Sequence, residues 1–193
     1  MYSTSKTIDI AYAHRLLLDY ESKCSNLHGH NGTVTVSIYT SKCNHNGMVL
    51  DFTILKEILD KVIISKYDHA TLINIADDEL LNFCKRTNSK FVVIFANSTS
   101  ENIAKCMWVD IANELKKLKK NRNVSIPGLK DVILSVEFNE SGNNSASYCD
   151  LIYSNNAEHI NSKEKSEQKI NKRKVIIDNE PESNVLFKIV RLI

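Results

Sequence analysis

Thr33-Val34-Thr35-Val36-Ser37-Ile38-Tyr39 alternates polar and apolar residues without a break. Side chains alternate faces along an extended chain, so this run makes a strand with one buried face, the habit of an antiparallel sheet. Just upstream, His28-Gly29-His30 falls in phase with Val34, Val36 and Ile38 if the register holds through Gly32. A second alternating segment, Ile8-Asp9-Ile10-Ala11-Tyr12-Ala13-His14, puts His14 on one face with Ile8, Ile10 and Tyr12. Three imidazoles from two adjacent strands make a three-nitrogen zinc site with an open fourth position, the arrangement of a catalytic zinc. Gly29 leaves the space between its two histidines uncrowded. Cys24, four residues before His28, is a candidate acid–base or nucleophilic group. Each part alone has a plainer explanation: an isolated His-x-His is weakly specific, and a histidine on an apolar strand face is more often a satisfied core residue. The set together is more specific than its parts.

The rest of the chain supplies helices and further strands. Asp51 or Thr53 can cap a helix in which Leu55, Ile58, Leu59, Val62 and Ile63 recur at helical spacing. Residues 76–86 suit a short helix, and Phe91 to Phe95 a strand. Ser98-x-x-Glu101 has the form of a capping box, which gives Glu101 a purely structural reading. The helix after it lines up Ile103, Met107, Ile111 and Leu115, with Ala104, Trp108, Ala112 and Leu118 beside them, for packing on the sheet. The basic run Lys116–Arg122 suits a helix C-terminus. Pro127-Gly128 breaks the chain, and residues 132–140 and 145–153 form a hairpin across Ser141-Gly142-Asn143-Asn144.

Such a mixture predicts an α+β domain, an antiparallel sheet with helices packed on one face, over residues 1–153. Residues 154–193 form a charged C-terminal extension with an apolar end, and the stretch from Glu158 to Lys174 holds too little apolar content to order itself. A net charge of +2 gives no electrostatic case for nucleic acid. Five cysteines, without a Cys-x-x-Cys pair or a charged-then-apolar leader, point to reduced thiols and a cytoplasmic setting. Cys84 and Cys106 read as small core residues; Cys43 beside His45 reads as incidental. No apolar run approaches the ~18 residues of a membrane span.

Six blocks in order, over residues 8–148, resemble the 6-pyruvoyl-tetrahydropterin synthase family: Ala11-Tyr12-Ala13-His14-Arg15-Leu16, Lys23 to Asn31, Gly47-Met48-Val49-Leu50-Asp51-Phe52, Asp68-His69, Ser98-Thr99-Ser100-Glu101-Asn102, and Val136 to Tyr148. The compact Cys-x-x-x-His-Gly-His looks most like the bacterial branch that forms 6-carboxy-tetrahydropterin for queuosine, whereas Ser98-Thr99-Ser100 looks closer to the pyruvoyl-forming branch. Tyr12 stands where the family usually has a small residue.

The resemblance implies the tunnelling fold, in which trimers close a barrel of sheets and stack into a hexamer with active sites between subunits. It implies zinc on His14, His28 and His30, catalysis by Cys24, Asp68 and His69, and 7,8-dihydroneopterin triphosphate as substrate. Thr99, Ser100, Glu101 and Glu140 would hold the substrate, with Glu101 still open to the capping role. Glu140 is preferred to Glu137 as the pterin anchor because Ser141 follows it, Tyr148 lies eight positions on, and it shares a face with Val136 and Phe138. Two other readings stay open: a non-catalytic zinc- or pterin-binding protein on the same fold, and a structural zinc site with Cys24 as fourth ligand.

Overall fold

A computed structural model of the chain describes residues 1–122 and 131–152. Strand β1 (Tyr2–His14) pairs antiparallel with β2 (His28–Thr40), in unbroken register from Tyr2 opposite Thr40 to His14 opposite His28. Strand β5 (Ile133–Ser141) adds antiparallel to β2, and β6 (Asn144–Leu151) to β5. On the solvated face, polar side chains pair across the strands, Thr7 with Thr35 and Thr33 with Asp9, both at 3.0 Å.

Two further strands join the antiparallel ones in parallel. β3 (Ala70–Asn74) lies parallel to β1, and β4 (Phe91–Ile94) parallel to β3, so the six-stranded sheet is mixed, in the order β4-β3-β1-β2-β5-β6. Helix α3 (Asp78–Arg86) supplies the crossover between β3 and β4, which parallel neighbours require. β3 escapes a periodicity search because Ala70, Leu72 and Ile73 are all buried, so its five residues show no alternation. Within one chain the sheet stays open, with β4 and β6 as edges.

Asp51 caps helix α1 (Phe52–Leu59) by accepting from the Thr53 amide at 2.7 Å. The helix widens through a π-helical turn at Asp60–Ile64 and finishes as α2 (Ser65–Tyr67). Its apolar stripe of Leu55, Ile58, Leu59 and Ile63 is buried. The long helix α4 (Ser100–Arg122) buries Ile103, Ala104, Met107, Trp108, Ile111, Ala112 and Leu115. Each large apolar side chain so buried contributes about 1.5–3 kcal/mol. Trp108 Nε1 donates to the Leu134 carbonyl at 2.8 Å, pinning the helix to β5. These helices cover the face that carries Val34, Val36, Ile38, Val136 and Phe138. The layering is what positions the site, because His14 and His28 end the two central strands on that same inner face.

Residues 123–130 and 153–193 lie outside the described residues, so the break at Pro127-Gly128 and the extension 154–193 do too. Among the described residues no helix is long and apolar enough to cross a membrane.

Candidate metal centre and adjoining cavity

Antiparallel pairing sets His14 directly opposite His28, and Tyr12 opposite His30. The ring centroids of His14, His28 and His30 stand 4.7, 4.8 and 5.3 Å apart. One ligand nitrogen from each lies within 4.8 Å of the other two. His14 Nδ1 bonds the Ser98 carbonyl at 2.7 Å, and His28 Nδ1 the Asn26 carbonyl at 2.7 Å. A carbonyl only accepts, so in each ring Nδ1 carries the proton and Nε2 keeps its lone pair. Burial lowers the His14 pKa, outweighing the Ser98 bond and the Glu140 charge that raise it. The ring is held neutral, the form that binds a metal. The Nε2 atoms of His14 and His30 are buried without a hydrogen-bond partner. Orphaned buried nitrogens are costly unless something fills the space between them, so the three residues fit a metal ion.

Gly29 has a different job from the one expected. It sits on the face opposite its two histidines, and a Cβ there would come within 3.3 Å of the Tyr12 carbonyl. It permits close strand pairing. Gly32 makes room instead: a Cβ would meet the Phe138 ring at 3.1 Å. That ring reaches Tyr12, with centroids 5.4 Å apart.

Glu140 is the extra residue of a β-bulge, where Asn139 pairs with Ser145 but Ser141 with Asn144. Bulges re-aim side chains, often beside functional sites. Its Oε1 lies 3.4 Å from His14 Nε2 and 3.8 Å from His30 Nε2, and accepts from the Tyr12 hydroxyl at 3.2 Å. Burial foremost, then the charge of Glu140, push the Tyr12 phenol far above its ordinary pKa, so it keeps its proton and donates. Glu137 is exposed on the other face.

A cavity of about 230 Å³ adjoins the cluster, and Thr99, Ser100, Glu101 and Glu140 line it with Asn144 and Ser145. The capping box does not form. Helix α4 starts at Ser100, which makes Thr99 the cap, and the Thr99 carbonyl accepts the first helical bond from Ile103. Ser98 Oγ instead donates to the Arg15 carbonyl at 3.2 Å. Glu101, exposed, faces the cavity.

Asp68 and His69 are joined, Nδ1 to Oδ2 at 3.0 Å. Ala11 clamps the pair: its amide donates to Asp68 Oδ1 at 2.9 Å, and its carbonyl accepts from the His69 amide at 2.6 Å. The clamp holds His69 at φ 55°, in the left-handed region. The Ala11 amide, the main stabiliser of the Asp68 charge, lowers that carboxyl's pKa. Cys24 is exposed, in a short 3-10 turn at Lys23–Ser25 whose Cys24 carbonyl accepts from the Leu16 amide at 2.8 Å. Its thiol is not among the clustered donors. Within one chain, therefore, the three histidines and Glu140 come together, the Thr99–Glu101 segment meets Glu140 across the cavity, and Cys24 and the exposed His69 stand apart.

Two supporting residues, Asn97 and Asp77, carry no sequence motif. Asn97 bonds both the amide and the carbonyl of Leu17 and receives a bond from Asn74, fixing the loop that presents Ser98 to His14. Asp77, buried, caps α3 and takes two bonds from Arg15 at 2.7 Å. Tyr12 was signalled by its shared strand face with His14, although its partner Glu140 was not.

The sheet order and helical layer are those of the tunnelling fold, and the residues at its centre define a protein able to hold one metal ion beside a carboxylate-walled cavity. The profile of the 6-pyruvoyl tetrahydropterin synthase family matches residues 3–150. The chain belongs to that family, whose enzymes are lyases acting on pterins. It is 30% identical over 134 residues to a 6-carboxy-5,6,7,8-tetrahydropterin synthase of Rickettsia conorii, covering 67% of this chain and 92% of that protein. It is 31% identical over 137 residues to the enzyme of the same name from Haemophilus influenzae, covering 67% and 91%. A 6-pyruvoyl tetrahydrobiopterin synthase of Drosophila melanogaster is 36% identical over 104 residues, 52% of each chain. In fold, the chain is similar to the 6-pyruvoyl tetrahydropterin synthase of Plasmodium vivax, with a TM-score of 0.58 at 22% identity, covering 78% of this chain and 99% of that one.

Proposed function

We propose that this chain is a zinc-dependent 6-carboxy-5,6,7,8-tetrahydropterin synthase that converts 7,8-dihydroneopterin triphosphate and one water to 6-carboxy-tetrahydropterin, acetaldehyde and triphosphate, in the route to queuosine. The observation that carries the reading is the meeting of the three-histidine cluster with a cavity walled by Glu140 and the Thr99–Glu101 segment. His14, His28 and His30 would hold the zinc, which when bound supplies a Lewis acid for the substrate's side-chain hydroxyls and makes adjacent protons easier to remove. Glu140 accepts from the ring edge that offers an amino group and a ring N–H, a match for two charge-assisted bonds. Thr99 and Ser100 bond further polar atoms of the ring, and Glu101 adds a second carboxylate to the wall. Cys24, as thiolate, takes a proton from the side chain. His69 moves the second proton through Nε2, since Asp68 occupies Nδ1. The exposure of both Cys24 and His69 in one chain suits a site completed between subunits of a hexamer.

The short Cys24-to-His28 spacing and the names of the Rickettsia and Haemophilus relatives favour the carboxy branch. The Ser98-Thr99-Ser100 block and the Drosophila relative favour the alternative, 6-pyruvoyl-tetrahydropterin formation by triphosphate elimination. Incubation of the zinc-loaded protein with 7,8-dihydroneopterin triphosphate separates them. Acetaldehyde with 6-carboxy-tetrahydropterin is the expected result. 6-Pyruvoyl-tetrahydropterin without acetaldehyde would move the protein to the other branch, and unconsumed substrate would leave a non-catalytic binding protein.

A further inference from the structure

We propose that in the ligand-free protein Glu140 closes the metal site as its fourth donor, and that Tyr12 is the positioning residue that holds it there. Two donors on one tetrahedral zinc, each about 2.0–2.1 Å from it, stand about 3.4 Å from each other. Glu140 Oε1 lies 3.4 Å from His14 Nε2 and 3.8 Å from His30 Nε2. Among the described residues those are the two buried side-chain nitrogens left without a hydrogen-bond partner, and the same carboxylate oxygen faces both.

Its placement is built. The bulge at Glu140 turns the side chain out of the regular ladder. The Tyr12 hydroxyl then bonds Oε1 at 3.2 Å, and Tyr12 is only 4% exposed. The Tyr12 ring is fixed in turn by Phe138, His14 and His30, at 5.4, 5.2 and 5.5 Å between centroids. Phe138 can lie there because Gly32 has no side chain. A small residue at position 12 would leave Oε1 without this donor. A donor bonded to a ligand's oxygen orients that ligand toward its metal.

The inference rests on the reading of His14, His28 and His30 as a metal site and not on the identity of the substrate. Its test is optical titration of the metal-free full chain with cobalt(II), which takes the same nitrogen and oxygen donors as zinc, followed by thiocyanate as a probe of an open position. Wild type should give a four-coordinate visible spectrum that thiocyanate leaves largely unchanged. Glu140→Gln should bind cobalt more weakly and respond to thiocyanate. Tyr12→Phe, which keeps the ring, should lower metal affinity about 10-fold and respond partly. Circular dichroism shows whether each variant is folded. An unaltered spectrum, affinity and thiocyanate response in folded Glu140→Gln would overturn the proposal while leaving the three-histidine site standing. If Glu140→Gln behaves as expected but Tyr12→Phe matches wild type, the role of Tyr12 is wrong. A wild-type chain that binds no cobalt removes both the site and the proposal.

Discussion

His14 Nδ1 and the Ser98 carbonyl lie 2.7 Å apart, joining the last residue of β1 to the loop that opens helix α4. This bond couples the two halves of the site. One half is the histidine cluster at the strand ends; the other is the Thr99–Glu101 wall, which begins at the next residue. It also fixes the tautomer that turns His14 Nε2 inward.

The loop needs Asn97 to hold that carbonyl in place. Asn97 makes three side-chain bonds, two to Leu17 and one to Asn74. Asn97→Ala should cost about 2–3 kcal/mol, taking ~1 kcal/mol for each bond lost, and should weaken metal binding with it. Urea denaturation and a zinc titration check the two effects. Unchanged values in both would show that the loop holds itself.

Cys24→Ala should abolish turnover and leave the metal and the fold intact, because the thiol is exposed and outside the donor cluster. Activity, zinc content and circular dichroism on one preparation decide the matter. Parallel loss of zinc and activity would favour a structural site with Cys24 as a ligand.

Asp77 carries a pH signature. Its bonds to Arg15, the largest cause, hold its carboxyl below the ordinary range. A carboxyl lowered on folding stabilises the protein above its unfolded pKa of ~3.9, and that share is lost as pH falls through the folded value. Asp77→Asn should destabilise by about 3 kcal/mol near neutrality, since it leaves Arg15 without its buried partner. The gap between variant and wild type should narrow as pH drops below ~4. Denaturant midpoints across that range test it; a gap constant with pH would assign the loss to packing.

Much of the site was legible because strand geometry is periodic. His14, His28 and His30 each fall in phase with apolar neighbours, and the paired register keeps that phase through Gly32. Glu140 is preferred to Glu137 by the family pattern of Ser141 and Tyr148 together with the same strand phase, and the α4 stripe shows in its helical counterpart. Other features have no periodic signal. β3 is five residues buried on both faces. The apparent capping box failed because helix α4 begins later than Ser98-x-x-Glu101 suggests, leaving Ser98 to bond Arg15. Asn97 and Asp77 act through single bonds to distant residues, which leave no pattern along the chain. The contact of Tyr12 with Glu140 depends on a bulge that only the hairpin's pairing reveals.

The central claim is that His14, His28 and His30 form one metal centre, and metal analysis of the purified protein beside its three single alanine variants tests it most directly. Wild type should carry one zinc per chain, and His14→Ala, His28→Ala and His30→Ala should each lose most of it while remaining folded. Full zinc retention in all three variants would contradict the account.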